Sequence, residues 1–202
     1  MENKKMKLLG LVGTNANFSY NRKLLWFMKD LFPFVEIEIL EIAGLPLFSE
    51  DEPELPAGIS AMTEQLMGAD GLIIATPEYD HAVPAALKSV LEWLSWESSH
   101  PLKELPIMIV GASLGKLGTV YAQENLRTIL QSPGLEAMVM PGHQFMLSEA
   151  KTAFDANGNL VDAKTIKFLE SSFGAFVDFV SVMGPVRQEL LSLDALAGAS
   201  EE

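Results

Sequence analysis

Leu72-Ile73-Ile74-Ala75-Thr76-Pro77-Glu78-Tyr79-Asp80-His81-Ala82-Val83-Pro84 is the stretch on which the fold turns. It opens with a short, continuous apolar run lacking polar alternation, the pattern of a strand covered on both faces. Pro84 suits the first turn of a helix, and the spacing after it predicts that helix as far as Trp96. Strand, rigid loop and helix therefore follow one another directly.

The same succession recurs on either side. Leu8-Leu9-Gly10-Leu11-Val12 precedes an amphipathic stretch from Ser19 to Asp30, and Ile107-Met108-Ile109-Val110 precedes Val120 to Leu130. Ala137-Met138-Val139-Met140 comes before a helical pattern over Ala163 to Val182. Val35 to Leu40 alternates instead, with Val35, Ile37 and Ile39 set against Glu36 and Glu38, which predicts an edge strand with one wet face. Alternating β and α signals within one domain predict an open, doubly wound α/β sheet of about five strands. Ala43 to Gly58, with Pro46, Pro53, Pro56 and a cluster of acids, reads as a long surface loop. Residues 1–183 form the expected single domain, and 184–202 an acidic tail, helical or disordered.

Composition narrows the function. The 202 residues carry 14 Lys and Arg against 27 Asp and Glu, a formal charge of −13, with 49% hydrophobic residues and no cysteine. Such a balance excludes a general nucleic-acid binder, which needs clustered cations. It also excludes disulfides, thiolate metal sites and a thiol nucleophile. The apolar run after Lys7 is too short for a secretory leader or a membrane span, so a cytoplasmic protein is expected. His81, His100 and His143 follow no metal-ligand spacing, so no metal site is expected. Asp155-Ala156-Asn157-Gly158 is a turn signal without the later ligands of a calcium loop. Met28, Met62, Met67, Met108, Met138 and Met140 read as core filler.

Ligands of open α/β sheets bind beyond the carboxyl ends of the strands, where three loops qualify. Gly13 to Arg22 is rich in hydroxyls and amides and ends at a helix N-terminus, where free N–H groups and the helix dipole suit a phosphate. Ser19 serves equally as a helix cap there. Thr76 to Pro84 is a rigid loop with an aromatic ring at its centre, suited to gripping a planar heterocycle. Gly111 to Thr119 holds Gly115 and Gly118, which allow close backbone approach. Neither a Walker loop nor G-x-G-x-x-G is present, and a Gly-x-Ser-x-Gly hydrolase elbow is absent.

At these loops the sequence resembles the NAD(P)H-dependent FMN reductases of flavodoxin-like fold, a group that includes chromate, quinone and azo reductases. The similarity is carried by Thr76-Pro77-Glu78-Tyr79-Asp80 with Pro84, Leu87-Lys88 and Glu92-Trp93. Gly13-Thr14, Ser19 and Asn21 match in the first loop; Ser113, Gly115, Gly118, Ala122-Gln123 and Leu126-Arg127 match in and after the third. The resemblance implies a three-layer α/β sandwich with a five-stranded parallel sheet of order 2-1-3-4-5. It implies that Thr14, Asn15, Ser19, Tyr20 and Asn21 hold the FMN phosphate. Pro77, Glu78, Tyr79 and Asp80 would line the isoalloxazine, and Ser113, Gly115 and Gly118 would close its other side. Departures are Ala16, Asp80 and Ala82, where the family has Arg, Asn and Ser; Arg22 is the cation at hand to replace the lost arginine.

The activity so implied is ping-pong transfer of hydride from NADH or NADPH to FMN and on to a small-molecule acceptor such as a quinone, an azo compound or free flavin. No side chain is required as an acid or base, so no catalytic residue is assigned; Tyr79 and His81 are pocket candidates. A homodimer or homotetramer is implied, with Trp93, Trp96 and the Ala43 to Gly58 loop as interface parts. Two rivals stand beside it. One is a flavodoxin-type electron carrier, which the acidity suits but whose Thr/Ser-x-Thr-Gly-x-Thr loop is missing. The other is a flavin-free regulatory binding protein, which Ala16 makes conceivable.

Overall fold

A computed structural model describes residues 5–198. In chain order the elements are β1 (Lys7–Val12), α1 (Tyr20–Leu31), β2 (Glu36–Glu41), α2 (Ala57–Met67), β3 (Gly71–Ala75), α3 (Ala85–Trp96), β4 (Pro106–Ala112), α4 (Val120–Leu130), β5 (Met138–Val139), β6 (Phe145–Leu147), α5 (Ala150–Ala153) and α6 (Ala163–Gly198). All strands pair in parallel in the order β2-β1-β3-β4-β5, and β6 also pairs with β4. The expected order holds, but the fifth strand position is divided. Pro106 and Ile107 face β5, whereas Val110 to Ala112 face β6. Between the two segments, Gly142 (φ 65°) and His143 (φ 43°) take left-handed conformations that no strand can carry through.

Successive residues of each strand point to opposite faces, which yields two buried layers. Leu9, Leu11, Leu72, Ile74, Ile107 and Ile109 pack with α2, α3 and α4. Leu8, Val12, Ile73, Met108 and Val110 pack with α1 and α6 through Leu24, Leu25, Phe173 and Phe176. Chain direction across the sheet reverses between β1 and β3, so α1 lies on the face opposite α2 to α4 and a crevice opens at their carboxyl ends. β2 is indeed an edge, but its second face is not simply wet. Glu38 accepts a hydrogen bond from Gln65 of α2 (2.6 Å) and pairs with Lys7 (3.2 Å). Helix α2 itself is not signalled above; its Ile59, Met62 and Leu66 form the buried stripe.

Trp93 belongs to the core rather than to an interface. It is buried, donates Nε1–H to the Pro46 carbonyl (3.0 Å) and meets the edge of Phe48. Trp96 is 59% exposed. The acidic tip of the long loop, from Glu50 to Glu54, is exposed, whereas Leu45, Phe48 and Leu55 pack inward. Met28, Met62, Met108 and Met140 are core residues, whereas Met67 is exposed and Met138 only partly buried. Helix α6 continues past the 183/184 division and carries Pro185 within it. Arg187 is buried there and donates to the carbonyls of Ala69, Pro101 and Lys103. Residues 199–202 of the tail lie outside the described residues. Among the described residues no helix is long and apolar enough to cross a membrane.

One buried side chain joins the two halves of the crevice. Asn21 donates Nδ2–H to the Ala112 carbonyl (2.9 Å) and accepts from the Ala112 N–H (2.8 Å), so the start of α1 is fixed to the end of β4. Asn21→Ala leaves a buried donor and acceptor unpaired, at a cost of about 2–3 kcal/mol. Thermal unfolding of the variant is expected to fall by roughly 5–10 °C, and an unaltered melting temperature would contradict the clamp. In the turn before α6, Asp155 accepts from the N–H groups of Asn159 (2.8 Å) and Asn157 (2.9 Å) and from the Asn159 side-chain amide (3.2 Å). The backbone N–H of Asn159 is the main cause holding this carboxyl below the usual aspartate range. Stability from it is complete above the unfolded-state value of about 3.9 and is lost as pH falls through the lower folded-state value. The melting-temperature gap between the wild type and Asp155→Ala is therefore expected at neutral pH and to close as the buffer is taken below about pH 4.

Candidate active site

A cavity of about 570 Å³ lies at the carboxyl ends of β1, β3 and β4, within the range of small-molecule and cofactor sites. The first loop contributes Phe18, Ser19, Tyr20 and Asn21. Ser19 is extended (φ −151°) and its Oγ accepts from the N–H groups of Asn21 (3.1 Å) and Arg22 (3.3 Å), so it caps α1 as its residue type requires. No acid stands in the first turn of α1, which leaves the positive end of its dipole uncompensated. Gly13 is the pivot of the turn: its N–H donates to the Ala75 carbonyl (2.8 Å), and a Cβ there would lie 2.7 Å from that oxygen.

Arg22 does not stand in for the arginine missing at Ala16. Its Nε and Nη2 donate to both carboxylate oxygens of Glu41 (2.6 and 2.8 Å), and Nη1 donates to the carbonyls of Ala16 (3.0 Å) and Asn17 (2.9 Å). The Glu41 hydrogen bond, ahead of the opposing effect of burial, raises its pKa. It thereby ties the Ala16 and Asn17 carbonyls of the loop to the start of α1.

From the second loop come Pro77, Glu78 and Tyr79. Tyr79 and Ala82 exchange backbone hydrogen bonds (3.1 and 3.0 Å) across Asp80 and His81, both in the left-handed region (φ 50° and 62°). That is the conformation of a type I′ hairpin turn, which favours Asn, Asp and Gly. Asp80 is accordingly exposed at a turn tip, where Asp and Asn serve alike, and neither it nor His81 is among the lining residues. The Tyr79 hydroxyl lies 3.3 Å from Thr14 Oγ1, linking the first two loops. Glu78 reaches the start of α4, where Oε2 accepts from the Ala122 N–H (3.1 Å), while Oε1 is 3.6 Å from His81 Nδ1. Thr119, at the N-cap of α4, makes no side-chain cap, so the carboxylate supplies one from outside.

The third loop adds Ala112, Ser113, Leu114, Gly115, Lys116 and Leu117. Its backbone is anchored on both flanks: Ser113 N–H donates to the Leu147 carbonyl (2.9 Å), and Glu149 N–H to that of Gly115 (3.0 Å). A Cβ on Gly115 would meet open space, whereas one on Gly118 would strike Met146. Gly118 therefore serves packing against β6 and does not line the cavity. Thr14 and Asn15 are likewise outside the lining, Thr14 buried beneath it and Asn15 exposed. Sequence reasoning missed Phe18, Ala112, Leu114 and Leu117 as lining residues. The signal available was their position within the two loops already singled out.

The residues matched after the third loop have structural work. Ala122 and Leu126 are fully buried. Gln123 donates to the Phe145 carbonyl (3.0 Å) and Arg127 to that of Met140 (3.0 Å), so the pair holds the divided fifth strand against α4. Burial lowers the Arg127 pKa.

A family model described as NADPH-dependent FMN reductase matches residues 6–152. The chain is 44% identical over 186 residues to the NADH:(hydroxy)cinnamate reductase subunit CrdA of Vibrio ruber, covering 91% of this chain and 92% of that one. It is 43% identical over 180 residues to the NADH-dependent flavin reductase subunit 2 of Lactobacillus johnsonii, covering 87% and 97%. Among solved structures it is similar to FerB, a flavoenzyme NAD(P)H:(acceptor) oxidoreductase from Paracoccus denitrificans, with a TM-score of 0.80 at 25% identity over 88% of this chain and 98% of that one. The flavodoxin-like fold, the enzyme class and the FMN and NAD(P)H pairing implied by the resemblance stand on these matches, and the carrier and regulator readings are not favoured. The chain belongs to the NADPH-dependent FMN reductase family.

Proposed function

We propose that the cavity at the carboxyl ends of β1, β3 and β4 holds FMN and that the chain reduces a quinone, an azo compound or free flavin there at the expense of NAD(P)H. The observation that carries this reading is the convergence of three anchored loops on one cavity of about 570 Å³ with a capped, acid-free helix N-terminus on its wall. These residues fit the cofactor. The donors of the first loop, with Ser19 and Tyr20, would take the phosphate, and Pro77, Glu78 and Tyr79 would border the ring. Ser113 and Gly115 would close the other side, where Gly115 leaves open space above its Cα.

FMN, when bound, accepts two electrons as hydride and passes them on. The chain supplies binding and shape. Glu78, held by the Ala122 N–H, keeps the second loop against α4. Thr14 steadies Tyr79, and Leu114 and Leu117 give the rim an apolar surface. Asn21, whose amide donates to and accepts from the Ala112 backbone, orients the first loop, and Asp80 and His81 set the turn that presents Tyr79.

The reading extends to a cytoplasmic homodimer or homotetramer. The oligomer is supported by exposed large apolar side chains outside the cavity lining, Trp96 and Tyr121, of the kind that a second copy covers.

The purified chain is expected to be yellow, with a flavin band near about 450 nm, and to bleach with NADH or NADPH and recolour with a quinone. A colourless protein that neither takes up added FMN nor oxidises NAD(P)H would overturn the assignment. Tyr79→Ala should weaken FMN retention by roughly five-fold, the equivalent of about 1 kcal/mol of ring contact, with Tyr79→Phe close to wild type.

A further inference from the structure

Of the charged groups on the cavity wall, Glu78 is engaged by the Ala122 N–H and faces His81. Lys116 is the one cation among the described lining residues. It is exposed, and no acid, carbonyl or ring of the described residues partners its ammonium. Lys151, Lys164 and Lys167 are exposed as well, but none of them lines the cavity. Arg22 is bound to Glu41, Lys88 to Glu92, Lys103 to Glu136, and Arg127 and Arg187 to backbone carbonyls.

In a protein of charge −13, the ambient field repels anions. Lys116 is then the cation of the lining toward which an anion is drawn, while Lys23 stands over the rings of Phe18 and Tyr20 on the first-loop side. Its neighbours set the rest of the chemistry. Leu114 and Leu117, 67% and 54% exposed, flank Lys116 on a loop whose backbone is pinned by Leu147 and Glu149. A cation between two apolar side chains on an anchored loop matches a molecule with an apolar planar body and an anionic substituent. The first-loop donors and the α1 N-terminus, which suit a phosphate, lie on a separate segment of the wall.

We propose that Lys116 is a specificity-determining residue that selects anionic aromatic electron acceptors, those bearing a carboxylate or sulfonate, over neutral acceptors of the same size. This inference rests on the cavity being the reductase site. The test compares the FMN-loaded wild type with Lys116→Gln and Lys116→Glu on two acceptors, 1,4-naphthoquinone-2-sulfonate and neutral 2-methyl-1,4-naphthoquinone. The ratio of kcat/KM for the sulfonate over the neutral quinone is expected to fall roughly three- to five-fold for Lys116→Gln, the range of one exposed ion pair. For Lys116→Glu it should fall about ten-fold or more, because repulsion replaces attraction. The change should lie in KM, and the wild-type ratio should shrink towards that of Lys116→Gln in high salt.

Calorimetric titration of the sulfonate into the oxidised protein should show the same loss of affinity. Because that measurement needs no turnover, it reads Lys116 even if NAD(P)H oxidation is absent, which separates failure of this inference from failure of the reductase reading. An unmoved ratio with unmoved sulfonate affinity overturns the proposal. A variant whose KM rises for NAD(P)H alone also overturns it, since the cation would then serve the reductant.

Discussion

The constraint on which this structure depends is the pairing of backbone groups where the parallel strands stop. A parallel sheet has no hairpin to close its end, and each terminal N–H or carbonyl must find a partner or meet water. Here the partners run sideways from loop to loop. Gly13 N–H donates to Ala75, Thr76 N–H to Val110, Ala112 exchanges two bonds with Asn21, and Ser113 N–H donates to Leu147. The carboxyl edge of the sheet is thereby stitched from β1 across to β6. The cavity lies above that seam, and its wall loops are anchored by it.

Charge is arranged on the same economy. Exposed acid stands on the loop tip from Glu50 to Glu54 and at Glu36, while Lys7, Arg22, Lys88, Lys103, Arg127 and Arg187 are bound to carboxylates or carbonyls within the fold. Arg22 illustrates the difference between a cation in the chain and a cation in the site. It lies one residue from Asn21 on the cavity wall, yet it shapes the loop from behind rather than facing a ligand. On the reading proposed above, anion recognition falls to backbone donors and the helix dipole, which do not alter the net charge.

Much of this was legible because strand-to-helix junctions concentrate signals that depend only on neighbours in sequence. Ser19 capping α1, Pro84 ahead of α3 and the apolar runs of β1, β3 and β4 are all of that kind. Helix α2 was hidden because Gly58, Ser60 and Thr63 dilute its periodicity just after a loop rich in proline and acid. The divided fifth strand was hidden because β5 and β6 are too short to show a period. Within the site, the roles of Asn21, Arg22 and Glu78 were beyond reach. Their partners are single backbone groups or carboxylates on distant segments, Ala112, Glu41 and Ala122, and no local pattern encodes them. The Ala-Gln and Leu-Arg pairs after the third loop were recognised as a motif, whereas their work of bracing β5 and β6 needed the fold.

The break in the fifth strand has a bearing on solubility. An open sheet exposes unpaired backbone at both margins, and a long flat margin invites pairing with a second chain. Here one margin consists of two short segments interrupted at Pro141 and Gly142, and the other, β2, carries Glu36 and Glu41 exposed. Neither offers a continuous apolar ladder to a foreign strand. Both margins thus carry features that disfavour edge-to-edge growth into fibrous aggregates.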